Sequence, residues 1–202
     1  MWTLTAAPSR RSPFRPSSLP PNADPGQPAV AYVRDGVKYA EFRGSQWKRE
    51  EVGPGDTPIS LGFTTAGEPA ICYSNERPDR RSDVLLAIRR GGTWNRAWIA
   101  IGHSADLTFS PAGDPAISYC DAESETVMFA LFFDRSWHHF MVEQPHKTPT
   151  GVFVGPFMFT SLAFSPSGQP AISYYDRETA PLDTPAVHCT SKVCDGLLCF
   201  DP

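Results

Sequence analysis

A short Gly-x-Pro-Ala motif that occurs four times constrains this chain more than any other feature of its sequence. Its prolines are residues 28, 69, 115 and 170, so the copies succeed one another at intervals of 41, 46 and 55 residues. Repetition at such intervals indicates one structural unit that is stacked several times. Each motif leads into an apolar stretch that ends in tyrosine: Val30-Ala31-Tyr32, Ile71-Cys72-Tyr73, Ile117-Ser118-Tyr119 and Ile172-Ser173-Tyr174.

Each unit carries the signs of four short β-strands, which are rich in β-branched and aromatic residues and bounded by Gly, Pro, Asp or Ser turns. The 21 prolines of the chain argue against long helices. A unit of about 45 residues with four antiparallel strands predicts a β-propeller blade, and the alternative is a β-sandwich. The first strands are 60–63, 106–109 and 161–164, the third begin at Val37, Val84 and Val127, and the fourth open with Trp47, Trp94 and Trp137.

The stretch SLAFSPSGQPAISYYD at 161–176 resembles a blade repeat of bacterial and archaeal surface and secreted propeller proteins. The segment 186–194, with its Val-His-Cys, is similar to a variant of the same repeat. The resemblance covers about residues 26–200 and implies an all-β propeller that is extracellular or on the cell surface. It implies little about function, because the family is mostly uncharacterised and the fold hosts unrelated activities.

The sequence predicts a tail and then a repeat domain. Residues 1–25 form a disordered tail or linker rich in Pro, Ser and Arg, without the apolar stretch of a signal peptide. Residues 26–202 hold the blades, at about 26–52, 60–99, 106–143 and 161–200, and the first lacks its first strand unless the tail supplies it. Four blades are the lower limit for a ring. We therefore expect either a closed ring or an open arc that a second copy or a longer protein completes.

Composition and motifs narrow the function classes. A net charge of −4 provides no field to attract nucleic acid, and no apolar run is long enough to span a bilayer. No nucleophile, metal-hydrolase or phosphate-loop motif is present, so we predict no enzyme activity and no cofactor. The prediction is a lectin-like, non-catalytic module that binds a glycan or protein. The alternatives are a structural or protein-interaction piece of a larger or oligomeric propeller and, less favoured, a glycosidase-like enzyme.

The loops between second and third strands vary most, so we expect the ligand on that face. They begin with Asn75, Asp121 and Asp176, each two residues after the repeated tyrosine. These three are the predicted ligand-binding residues, and the alternative is that each side chain caps its own turn. The short turns on the opposite face are predicted to be scaffold, and the repeated Trp and Tyr to pack between blades.

The five cysteines have different predicted roles. Cys72 and Cys120 fall on second strands and are predicted to be buried apolar residues. Cys189 and Cys194 flank four residues that we interpret as a turn, which predicts a disulfide in an oxidising compartment. A zinc site formed by these two with His188 and Cys199 is the alternative, although its spacing is not a usual zinc pattern. We predict no metal.

Overall fold

The chain forms an all-β structure, as the sequence predicts. The computed structural model describes residues 28–147, 153–154, 156–176, 189–195 and 198–200. Within these ranges the regular elements are β-strands, and they pair in antiparallel fashion. The same ranges contain no helix with the length and apolarity that crossing a membrane requires. The tail predicted at 1–25 lies outside the described residues.

The first unit is a three-stranded sheet in the order β1 (Ala29–Val33), β2 (Val37–Arg43) and β3 (Gln46–Gly53). The turn between β1 and β2 contains Asp35 and Gly36 with φ of 53° and 100°. A Cβ on Gly36 would lie 2.8 Å from the carbonyl oxygen of Gly53. Both the left-handed backbone and this close approach therefore require glycine there.

The second and third units share one long strand. The second comprises β4 (Asp56–Phe63), β5 (Pro69–Glu76), β6 (Ser82–Arg90) and the first half of β7 (Thr93–Phe109). The third comprises the second half of β7 with β8 (Pro115–Asp121), β9 (Val127–Phe133) and β10 (Ser136–Glu143). β7 pairs with β6 as far as Ile101 and with β8 from Gly102. A positive φ at Ser104 and a register shift mark this change of partner.

The fourth unit comes after a two-stranded ribbon of β11 (His146–Lys147) and β12 (Phe153–Val154). Its strand order is β13 (Pro156–Phe164), β14 (Pro170–Asp176), β15 (Cys189–Asp195) and β16 (Leu198–Phe200).

The predicted Cys189–Cys194 disulfide is wrong, because both residues lie on β15 rather than on either side of a turn. Five residue steps along an extended strand separate their Cα atoms by about 16 Å, which exceeds the reach of a disulfide. The backbone register places Cys194 opposite Cys199 instead. His188 of the alternative zinc site lies outside the described residues.

The sheets stack face to face, and the second strands β5 and β8 of the two central units are buried on both sides. On β5, Ile71 and Tyr73 pack with the first unit, whereas Ala70 and Cys72 pack with the third. On β8, Ile117 faces the second unit and its neighbours Ala116 and Cys120 face the fourth. A strand enclosed on both faces needs an almost continuous apolar run, and the sequence has such a run after each Gly-x-Pro motif.

Side chains on the first strands join successive units by hydrogen bonds. The Ser60 hydroxyl donates to Oδ1 of Asp106 at 2.7 Å and accepts the Leu107 N–H at 3.1 Å. Oδ2 of Asp106 accepts the Leu162 N–H at 2.8 Å. The side chain just before the repeated leucine of one unit thus accepts the N–H of the equivalent leucine in the next unit. This N–H lies at a sheet edge, has no partner on a neighbouring strand, and is satisfied in this way.

The repeated tryptophans differ in their surroundings. Trp94 packs edge-on against Tyr39 of the first unit, with ring centroids 5.4 Å apart, and Trp137 packs against the cluster between the second and third units. Trp47 is 37% exposed, and Val30 on the same face of the first sheet is 44% exposed. The outer face of the first unit therefore presents side chains whose counterparts in later units face a neighbouring sheet.

Cys72 and Cys120 are fully buried free thiols, as predicted. Burial raises the pKa of Cys72 strongly, and the nearby charge of Asp106 raises it further. Burial also raises the pKa of Cys120 to about 12. Because the thiolate is the nucleophilic form, both cysteines are inert side chains of the core.

Candidate ligand-binding site

Asp121, one of the three predicted ligand-binding residues, caps its own loop. Its Oδ1 accepts the backbone N–H groups of Glu123 and Ser124, at 3.1 and 2.7 Å, and the Ser124 hydroxyl at 2.7 Å. Three donors on one carboxylate oxygen describe an Asx-type turn. The alternative interpretation from the sequence, a capping role, therefore accounts for this aspartate.

The other two predicted residues lie at strand ends on the same loop face. Asn75 is half-buried near the end of β5 and pairs in register with Asp83. Asp176 is the last residue of β14, and its side chain is outside the part that the structure describes. Ligand binding by Asn75, Asp121 and Asp176 stays a prediction.

Ion pairs connect the neighbouring loops of this face. Arg81 pairs with Asp79 in its own loop, through contacts of 3.0 and 2.8 Å, and with Glu123 of the third unit. Arg77 approaches Asp83 at 3.7 Å. These charges satisfy one another at an exposed surface, where each pair contributes little to stability.

We expect the protein to lose stability as the pH falls below about 6.5, the ordinary pKa of histidine, because His103 is half-buried. Burial lowers the pKa of His103, and the charges of Glu125 and Asp121 oppose this effect in part. Protonation then favours the unfolded chain, so stability is complete above the unfolded pKa and decreases as the pH falls through it. Urea midpoints at about pH 7.5 and 5.5 should differ less in His103→Gln than in wild type. An identical difference would contradict the prediction.

A cleft of about 460 Å3 opens between the second and third units, on the face of the short turns. This volume is within the usual range for small-molecule sites. Its floor and walls combine aliphatic and aromatic residues with polar ones from both units. The second unit contributes Leu86, Ile88, Arg90, Asn95 and Ala97 with the turn at 64–68, and the third contributes Phe109, Asp114, Phe132 and Trp137.

The preceding interface shows why the cleft is open. Between the first and second units, Glu50 accepts the indole N–H of Trp94 at 3.1 Å and pairs with Arg89 at 2.8 Å. Glu50 is the third residue after Trp47, and Ala97 has the same place after Trp94. Arg89 corresponds likewise to Phe132, counted from the valines of β6 and β9. The ion pair of Glu50 and Arg89 between the first two units is thus replaced, between the second and third units, by the apolar residues Ala97 and Phe132, of which alanine is small.

Two polar groups that line the cleft have no hydrogen-bond partner among the described residues. Among the described residues, no hydrogen bond is found for the indole N–H of Trp137 or for the carboxylate of Asp114. Phe132 supports the Trp137 ring edge-on, with centroids 5.5 Å apart. At the rim, exposed Arg90 and partly buried Glu68 face each other at 4.0 Å. The cleft therefore offers an aromatic wall together with the unpartnered Trp137 N–H donor and the unpartnered Asp114 carboxylate.

From the sequence, the short turns that line this cleft are predicted to be scaffold. The cleft was therefore not predicted as a binding site. A signal was nevertheless present, because Ala97 and Phe132 replace Glu50 and Arg89 at equivalent positions of the repeat. Such a departure becomes informative only when the register shows that all four residues face an interface between units.

No metal site is indicated by the side chains that the structure describes, because no three of their His, Cys, Asp or Glu groups come close enough together to share an ion. In comparisons with known proteins, no family model matches this chain and no curated protein is significantly similar to it. The cleft is therefore interpreted from its own geometry.

Proposed function

We propose that this protein is a non-catalytic β-propeller-type module that binds a carbohydrate in the cleft between its second and third units. The propeller assignment is supported by the consecutive antiparallel strands of each unit, by the face-to-face stacking of the sheets, and by the hydrogen bonds that join their first strands. A second strand that is apolar on both faces is needed where its sheet is enclosed between two other sheets.

The observation that carries the binding proposal is the Trp137 wall, with its unpartnered N–H, in a cleft that the Asp114 carboxylate also lines. A sugar ring presents C–H groups that pack on an indole face, and hydroxyls that pair with carboxylates, amides and guanidinium groups. Asn95 and Arg90 add such groups from the second unit. An apolar wall with a few polar groups is the usual design of a small-molecule site.

We expect Trp137→Ala to weaken binding about tenfold or more, since it removes both the stacking surface and a hydrogen-bond donor. Calorimetric titration with maltohexaose, cellohexaose and chitohexaose gives the measurement. Asp114→Asn should weaken binding of the same oligosaccharide by a smaller factor. Trp98→Ala is the matched control, because that indole is 58% exposed and donates to Asp83 outside the cleft.

Ala97→Glu offers a second test, because it places beside Trp137 the carboxylate that Glu50 places beside Trp94. We expect this variant to fold and to lose oligosaccharide binding. Failure of all three oligosaccharides to bind wild type, or equal binding by Trp137→Ala, would overturn the proposal. Release of shortened sugars during incubation would contradict the non-catalytic assignment.

A further inference from the structure

The cleft between the second and third units carries a negative charge that no neighbouring cation compensates. Four charged residues of the described chain line it, namely Glu68, Arg90, Arg96 and Asp114. Arg90 and Glu68 approach each other at 4.0 Å, so each supplies the counter-charge of the other. The carboxylate of Asp114 has no such counter-charge, because no hydrogen bond or ion pair to it is found among the described residues.

The guanidinium of Arg96 does not neutralise Asp114, because it lies on the far side of its own sheet. Side chains two residues apart on a strand share a face. Trp94, two residues before Arg96 on β7, packs against Tyr39 of the first unit. A Cβ added to Gly53 of the first unit would lie 2.6 Å from Nη1 of Arg96. The charged end of Arg96 is therefore directed to the first unit and away from the cleft.

Asp114 and Trp137 line the cleft at a separation that one bound sugar residue can bridge. Trp137 pairs with Phe132 of β9, and Leu131 of β9 pairs with Ala116 of β8. Asp114 comes just before β8, so its backbone lies about two strand spacings, roughly 10 Å, from that of Trp137. Both side chains are partly buried, so water screens their interactions with a ligand less than on an open surface.

We infer that this cleft selects an amino sugar with a free, protonated amine, such as a glucosamine unit, over neutral sugars. The inference rests on the carbohydrate binding proposed for the same cleft. An ammonium group donates to the Asp114 carboxylate in a charge-assisted hydrogen bond, which is roughly twice as strong as one between neutral groups. An indole face also attracts a cation near it, so Trp137 favours the same ligand.

The same charges disfavour an acidic sugar. A uronate carboxylate in this cleft meets the like charge of Asp114, which raises its free energy of binding. Arg90, the cation that remains in the cleft, already faces Glu68. The net charge of the chain, −4, repels an anionic oligosaccharide as well.

The test compares three β-1,4-linked hexasaccharides that differ in the group on C2. These are the glucosamine hexamer with an ammonium, chitohexaose with an acetamide, and cellohexaose with a hydroxyl. In calorimetric titration of the full chain, we expect the glucosamine hexamer to bind about tenfold more tightly than either of the others. Raising NaCl from about 0.05 M to about 1 M should remove most of this preference and leave the affinity for cellohexaose unchanged.

Variants assign the preference to one carboxylate. Asp114→Asn should weaken binding of the glucosamine hexamer about tenfold and binding of cellohexaose about twofold or less. Glu123→Gln is the matched control, because it removes the same charge from the third unit outside the cleft, where Glu123 pairs with Arg81. This control should keep the preference of the wild type. Arg90→Gln removes the counter-charge of Glu68 and should increase the preference for the glucosamine hexamer.

The outcomes separate this inference from the proposed function. Cellohexaose or chitohexaose binding at least as tightly as the glucosamine hexamer would overturn the inference and leave the carbohydrate site standing. A preference that Asp114→Asn does not reduce, or tighter binding of a galacturonate hexamer than of cellohexaose, would also overturn it. Absence of binding by every one of these hexasaccharides would overturn both.

Discussion

Replacing Ile117 with alanine is expected to lower the free energy of unfolding by about 3 kcal/mol. Ile117 is fully buried on β8, where its side chain lies in the cluster between the second and third units. Removing its outer carbons leaves a cavity between two sheets, and stacked sheets cannot close such a gap without shifting as bodies. In a chain of this size the melting temperature should fall by roughly 6–12 °C.

Urea denaturation monitored by circular dichroism measures this effect. Val30→Ala is the matched control, because Val30 has the same place in the first unit but is 44% exposed. We expect Val30→Ala to lower the free energy of unfolding by about 0.5 kcal/mol or less. Similar losses in the two variants would show that the outer face of the first unit is covered as completely as the interior of the stack.

Replacing Asp106 with alanine is expected to cost about 2–3 kcal/mol, although the side chain is only half-buried. Its two oxygens bind the Ser60 hydroxyl and the Leu162 N–H, so one carboxylate joins three successive units. Hydrogen bonds to a charged acceptor are the stronger kind, and the substitution leaves the Leu162 N–H without its acceptor.

Asp106→Asn keeps an acceptor oxygen but loses the charge, so we expect about half of that loss in urea denaturation. Asp114→Ala, which removes a carboxylate with no hydrogen-bond partner among the described residues, should be nearly neutral for stability. If Asp106→Ala were equally neutral, the hydrogen bonds between first strands would not hold the units together.

Much of the local structure could be predicted from the sequence, because strand signals are local. The alternation and turn residues placed β5, β6, β8 and β9 close to their observed limits, and the apolar run after each motif predicted burial. The fourth unit is predicted less well. Cys189 and Cys194 are expected to flank a turn, but both lie on β15 at Cys189–Asp195. The repeat pattern there is weak, and weak patterns leave register undetermined.

Spacing along the chain was sufficient to establish the all-β class and the apolar positions of each repeat, because both are properties of neighbouring residues. Which sheet faces meet, and what lies between them, became known from the packing of the units. Glu50 closes one interface, whereas Ala97 leaves the next one open. These features depend on residues about 45 positions apart meeting across a sheet interface, a distance at which local propensity carries no information.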